Sequence, residues 1–225
     1  QELGRANIEE RLANPLLQQP KNADPKVYNV DVYNMGVYRY ESVYIGHPAM
    51  YHAVAPNANP SYPNTDGFHL VELICSRDLR KWERLGNRRP FIGPSPLRTG
   101  AYDRQQIIGP SDVVVRGDEL WIYYSGQNKD HDGIVDPAAD GLLSGIGRAV
   151  MRLDGFVSAD AGYDGGEIIT PILRFSRGSR LELNVDTGGG GSVKVEVLDP
   201  YGKPVTGYAE REASWVCGNS VRMPV

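Results

Sequence analysis

The chain has 225 residues, 23% of them charged and 40% hydrophobic, with a formal net charge of −4. That balance is the one expected of a folded globular protein, and the absence of any Lys/Arg-rich run excludes the basic footprint of a nucleic-acid binder. No apolar stretch approaches the roughly 20 residues that a membrane-spanning helix needs.

Residues 1–26 hold one short helical possibility, "RANIEERLANP", stopped at Pro15 and followed by a Pro/Gln/Asn-rich link. The start "QELGRANIEERLANP" lacks an apolar signal core, so the expectation is a mature chain or a cut piece. From there on nearly every signal is strand. The runs "VYNVDVYNMGVYRYE" (27–41), "SVYIGHPAMYHAV" (42–54) and "FHLVELICS" (68–76) are rich in β-branched and aromatic residues and bounded by turn formers. "SDVVVRG" (111–117), "ELWIYYSG" (119–126) and "GIGRAVMRLDG" (145–155) follow the same pattern. Within "ELWIYYSG", Leu120, Ile122 and Tyr124 alternate with Trp121 and Tyr123, so both faces are apolar and the strand is expected inside packed sheets. "VRGDELW" reads as a tight hairpin turning at Gly117-Asp118.

Between these strands lies "ICSRDLRKWERL" (74–85). Ser76 and Asp78 stand where their side chains can accept amide hydrogen bonds of the next turn, fixing it without glycine. Trp82 is expected to open the following strand with its ring across the sheet edge. Stretches of about 27–90 and 100–155 look like rough copies of each other, near the ~40–50-residue period of a propeller blade. After "GGEIITPILRF" the character changes to the short Gly- and Asp-linked strands "RLELNVDT", "GGGGSVKVEVLD" and "YGKPVTGYAE", as in a β-sandwich. "DTGGGGSVKV" lacks the Lys-Ser/Thr of a phosphate loop and reads as a hairpin turn.

The fold expected is therefore all-β: a partial five-bladed β-propeller of about two blades, then a β-sandwich-like domain. A boundary near 156–166 divides 27–160 from 161–225, with 1–26 a linker or the remnant of a preceding blade. Two blades cannot close a ring, so the chain is expected to be part of a longer protein.

"SRDLRKW" resembles the Ser-x-Asp-Leu-x-x-Trp turn that recurs in five-bladed-propeller glycosidases of glycoside hydrolase families 32 and 43, the β-fructosidases and the arabinanase/xylosidase group. "DVYNMGVYRYESVYIG", "GDELWIYYSGQNKDH", "GIGRAVMRLDGFVSADAG", "GGSVKVEVLDPYGKPVTGY" and "GNSVR" look like successive C-terminal segments of a family-32-like branch. The resemblance implies a glycosidase acting on a β-fructoside, arabinoside or related glycan through carboxylates around a central funnel. The main carboxylates of these families sit largely on early blades, so this chain would hold chiefly the substrate-binding half.

Inner propeller strands begin near the funnel, which makes their polar residues the candidates. Asp31 and Asp103 are the carboxylates expected for acid/base or transition-state roles. Tyr33, Asn34, Gln106, His52 and His131 are expected to grip sugar hydroxyls, while His47 and His69 read as ordinary strand residues. Asn128, Asp130, Asp132 and Asp136 fall at ligand positions of a calcium loop, although its twelfth position is Ala139 instead of the bidentate Glu, so affinity is expected to be poor unless Asp140 substitutes. Calcium is thus a possible ligand and no cofactor is required. The expected partner is a carbohydrate. The 13 Tyr against 4 Phe suit such a surface as well as strands in general. Cys75 reads as a buried free thiol, and two cysteines leave the compartment open, with an extracellular or periplasmic setting favoured. The rival reading is a non-catalytic carbohydrate-binding or scaffold module, since no Glu begins an inner strand.

Overall fold

A computed structural model describes residues 29–55, 66–96, 100–129, 142–176 and 178–225. The helical possibility in 1–26 lies outside them. The architecture is all-β, and no α-helix occurs among the described residues. The strands are β1 (Asn29–Tyr40), β2 (Val43–Ala55), β3 (Asp66–Val71), β4 (Ile74–Ser76), β5 (Glu83–Arg84), β6 (Gln106–Ile108), β7 (Val114–Arg116), β8 (Glu119–Gln127), β9 (Ser144–Arg152), β10 (Glu182–Asp186) and β11 (Asn219–Pro224). They fall into two compact units. Residues up to Arg116 with Leu120–Val150 form one, and Gly117–Glu119 with Met151–Val225 the other.

In the first unit β1 and β2 form a long antiparallel hairpin, and β3 and β4 continue from β2, with β5 on β4. The hairpin turns through Glu41 and Ser42, and exposed Glu41 takes the left-handed φ of 50° that such a two-residue connection demands. The run expected as one strand over 68–76 is broken at Glu72–Leu73, where Glu72 N–H leaves the ladder to bond Pro48 O at 3.1 Å. A second sheet is built on β8, which pairs with β6, β7 and β9.

The Ser76–Trp82 stretch is the clasp its residue types suggest. Ser76 Oγ accepts from Asp78 N at 3.2 Å and Leu79 N at 2.9 Å, and Asp78 Oδ1 accepts from Arg80 N and Lys81 N, both at 2.8 Å. Those bonds hold Leu79 at φ 61° in a turn without glycine. The Lys81 and Arg80 amide bonds also pull the Asp78 carboxyl below its usual range. Trp82 is buried, but its ring lies over the sheet face at Gly46 of β2. A Cβ there would come within 3.2 Å of the indole. The expectation of an edge position is corrected: the missing side chain of Gly46 opens a seat on the interior of the sheet.

Segment 109–111 runs across the other face. A Cβ on Gly36 would sit 1.8 Å from Pro110 O, and one on Gly109 would sit 3.1 Å from both His47 Cβ and Val71 Cγ1. Glycine is needed at Gly36 because backbone itself fills the space of the side chain, whereas at Gly109 the His47 and Val71 side chains crowd it and would have to give way. The interior is completed by Ala49, Met50, Ile74, Ile107, Leu120 and Ile122, all at most 1% exposed. The expectation that both faces of β8 are enclosed fails on one side. Leu120 and Ile122 are buried, whereas Trp121 is half-buried and Tyr123 is 45% exposed.

In the second unit the described residues form few regular strands. β10 pairs with β11, and Val193↔Val216 and Leu198↔Pro204 are single bridges. Asp199 closes the "DPYGK" turn by accepting from Tyr201 N and Lys203 N. The Gly188–Gly191 stretch is a turn as expected, with Gly188 at φ 61°. Side-chain bonds supply what the ladders lack. Arg152 donates to Asn219 Oδ1 at 2.9 Å, Asn184 donates to Leu153 O at 2.6 Å, and Arg222 pairs with Asp118 at 2.9 Å. Cys75 and Cys217 are free thiols, the first half-buried and the second exposed.

Candidate functional site

The site residues of β1 are gathered by a β-bulge. From Tyr40↔Val43 to Asn34↔Ala49 the hairpin register is regular. It then slips between Val32 and Asn34, so that Val32 pairs with Met50 and Asp31 with Tyr51. Tyr33 is the extra residue. Tyr51 in turn pairs with His69 of β3. Directly paired residues project to one side of a sheet, so Asp31, Tyr51 and His69 form a row on the face that segment 109–111 covers farther along. Tyr33 leans onto the same row, with its ring edge-on to His69 at 4.6 Å and 6.4 Å from Tyr51. Tyr51 and His69 are 5.0 Å apart. Asn34 joins that face through its pairing with Ala49. His69 is fully buried beneath, Asp31 and Tyr51 are half-buried, and Tyr33 and Asn34 are exposed.

The row extends into the second sheet. His69 N–H donates to Gln105 O at 3.0 Å, and Gln105 N–H donates to Gln127 O at 3.1 Å. Gln106 pairs with Gln127, and its Nε2 donates to Lys129 O at 2.9 Å. Two residues before Gln105 stands Asp103, only 7% exposed. Its Oδ2 accepts the Tyr124 hydroxyl at 2.7 Å. Burial, then this bond, drives the Tyr124 hydroxyl far above its ordinary pKa, with Tyr102 a further partner. Glycines make room for the group: a Cβ on Gly126 would lie 2.4 Å from Asp103 Cβ, and one on Gly147 would lie 2.3 Å from Tyr124 Cζ.

The remaining candidates do not join this row. His52 pairs with Val30 and Phe68 on the opposite face, stacked on Phe68 at 4.9 Å with rings 7° apart. Burial, and secondarily the charge of Arg84, lowers its pKa. His131, Asp130, Asp132 and Asp136 lie outside the described residues. Asn128, the remaining calcium candidate, is fully buried, and neither its Oδ1 nor its Nδ2 has a hydrogen-bond partner among the described residues. Among the described residues no three His, Cys, Asp or Glu side chains are grouped to hold a metal ion. No described helix is long and apolar enough to cross a membrane.

Sequence reasoning missed Tyr51, His69, Tyr102 and Tyr124. The first two were hidden by the bulge, which no composition signal announces. Tyr124 was legible only as an alternating strand residue.

His47, on the covered part of the same face, provides a pH test. Its Nε2 lies 2.9 Å from the Tyr38 hydroxyl, and burial pushes the imidazole down from 6.5 to about 4. The unfolded chain therefore takes up a proton below pH 6.5 that the folded state refuses until about pH 4. Stability from the neutral imidazole is intact above pH 6.5 and falls as pH drops through that window. Urea unfolding should show the wild type losing about 3 kcal/mol more than His47→Gln between pH 7 and pH 4. Parallel pH curves for the two proteins would refute the assignment.

No protein-family profile matches the chain, and no curated protein matches it. Among solved structures, the crystal structure of an N-acetylgalactosamine deacetylase from F. plautii in complex with blood group B trisaccharide is similar at TM-score 0.34 and 19% identity, covering 55% of this chain. A structure described as a glycoside hydrolase is similar at TM-score 0.33 and 15% identity, covering 65% of this chain. The chain spans about a third of each of those proteins, 33% and 32% of their lengths. Likeness of this size carries no argument about activity, so the chemistry rests on this chain's own residues.

Proposed function

We propose that the face carrying Asp31, Tyr33, Tyr51 and His69 is a glycan site of glycoside-hydrolase type, contributing a carboxylate and an aromatic wall to a furanoside or related sugar. The observation that carries this reading is the row Asp31–Tyr51–His69 with Tyr33 leaning on it. Aromatic rings stack on the C–H faces of a sugar, and a neighbouring carboxylate accepts hydroxyl hydrogen bonds or takes a proton. The two successive antiparallel sheets support taking residues 27–160 as propeller blades with these strands near the funnel. The resemblance of "SRDLRKW" and its companion segments to families 32 and 43 points the same way.

In such a site the second carboxyl group lies roughly 5 Å away for a retaining reaction or roughly 6.5–9.5 Å away for an inverting one. Asp31 is assigned the charged role toward the sugar. Asp103, held by Tyr124, is the second candidate. Hydrolysis of aryl furanosides by the full protein is the test. Asp31→Asn should lower kcat/KM by about 10²–10⁴-fold, and unchanged turnover in both Asp31→Asn and Asp103→Asn would remove these residues from the mechanism.

One observation favours a non-catalytic carbohydrate-binding module instead: Asp103, the second carboxylate candidate, is 7% exposed and its Oδ2 accepts the Tyr124 hydroxyl. On that reading the wild type turns nothing over, yet binds a neutral oligosaccharide that Tyr33→Ala releases.

A further inference from the structure

A second feature stands on the open face of the other sheet. Trp121 of β8 carries two guanidiniums over its ring, Arg116 of β7 at 5.0 Å and Arg148 of β9 at 4.2 Å from the centroid. Both arginines are exposed, and among the described residues neither has a carboxylate within ion-pair distance. Tyr123, two residues along β8 and therefore on the same face, is 45% exposed. Ile146 and Val150, flanking Arg148 at the same spacing on β9, are 79% and 48% exposed.

Two like charges held near one ring repel each other, and each loses part of its hydration to the indole. An anion at the rim of the ring, accepting hydrogen bonds from the exposed guanidinium edges, offsets that repulsion. The indole supplies the order, since a guanidinium stacked on a ring has less freedom to lose on binding than one swinging free. The neighbouring tyrosine offers a flat apolar surface with a hydroxyl at its rim, suited to the ring of a sugar rather than to a bare ion.

We propose that Arg116, Arg148, Trp121 and Tyr123 form a binding site for an acidic glycan, the arginines taking its carboxylate or sulfate and Tyr123 stacking on the sugar bearing it. The site is separate from the Asp31 row and needs no hydrolytic step.

The test is isothermal titration of the full protein with tetragalacturonate, a sulfated disaccharide, a neutral tetrasaccharide and inorganic sulfate at low salt. At least one acidic oligosaccharide should bind at least tenfold more tightly than inorganic sulfate, and the neutral sugar should not compete. The Arg116→Gln/Arg148→Gln double variant, altered only at exposed positions, should weaken that binding tenfold or more. Its dependence on salt should fall with the lost charges. Tyr123→Ala should weaken the oligosaccharide while leaving inorganic sulfate unchanged. Carboxylate and sulfate sources are told apart by which oligosaccharide binds. No acidic oligosaccharide binding, affinity equal to inorganic sulfate, or an unaffected double variant would each overturn the proposal. Asp31→Asn should leave this binding intact, so failure of the glycosidase reading and failure of this one are read separately.

Discussion

Replacing Arg84 by Ala should destabilise the protein by about 3–5 kcal/mol, seen as a lower urea midpoint at unchanged slope. Glu72 is 4% exposed, and its two carboxylate oxygens are engaged by the Arg84 guanidinium, Nε at 2.7 Å and Nη2 on the other oxygen. The pair ties the break between β3 and β4 to β5, whose Arg84 stands opposite Ile74. Removing the arginine leaves a carboxylate in a place water scarcely reaches, and the cost of that stranded charge exceeds the net worth of the pair itself. For that reason Glu72→Leu/Arg84→Met should be far milder than Arg84→Ala alone. A double variant as unstable as the single one would show that the guanidinium acts through packing and not through its charge.

Trp82→Ala should cost about 3–5 kcal/mol as well, the range for deleting a large buried aromatic ring. The indole is 8% exposed and lies over Gly46, where Ile74 also comes within 2.7 Å of a Cβ position. Trp82 immediately precedes β5, so the ring seats the start of that strand. Trp82→Phe, which keeps a ring in the seat, should recover most of the loss. A fall of less than about 1 kcal/mol in Trp82→Ala would mean that the clasp stands on the hydrogen bonds of Ser76 and Asp78 alone.

The clasp shows how far residue types reach. Ser, Asp and Trp at the spacing of 76, 78 and 82 have few ways to satisfy a turn's amides and bury an indole, so local chemistry dictated the outcome. The Gly117-Asp118 hairpin was legible for the same reason, its glycine standing at φ 61°. In β8, alternation correctly separated Leu120 and Ile122 from Trp121 and Tyr123. It could not say which face another element would cover, since an exposed and a buried aromatic look alike in sequence.

The site divides along the same line. Sequence by itself placed Asp31, Tyr33 and Asn34 at the start of one strand, because β-branched and aromatic runs broken by turn formers leave little choice of strand. Which residues meet them was decided by a single register slip. Had the pairing of Asn34 with Ala49 run on unbroken, Asp31 would stand opposite His52. The bulge at Tyr33 sets it opposite Tyr51 instead, with His69 beyond. Side chains alternate with a period of two, so one inserted residue exchanges every neighbour across the ladder. Composition and alternation are unchanged by such a slip, and only the assembled sheet fixes it.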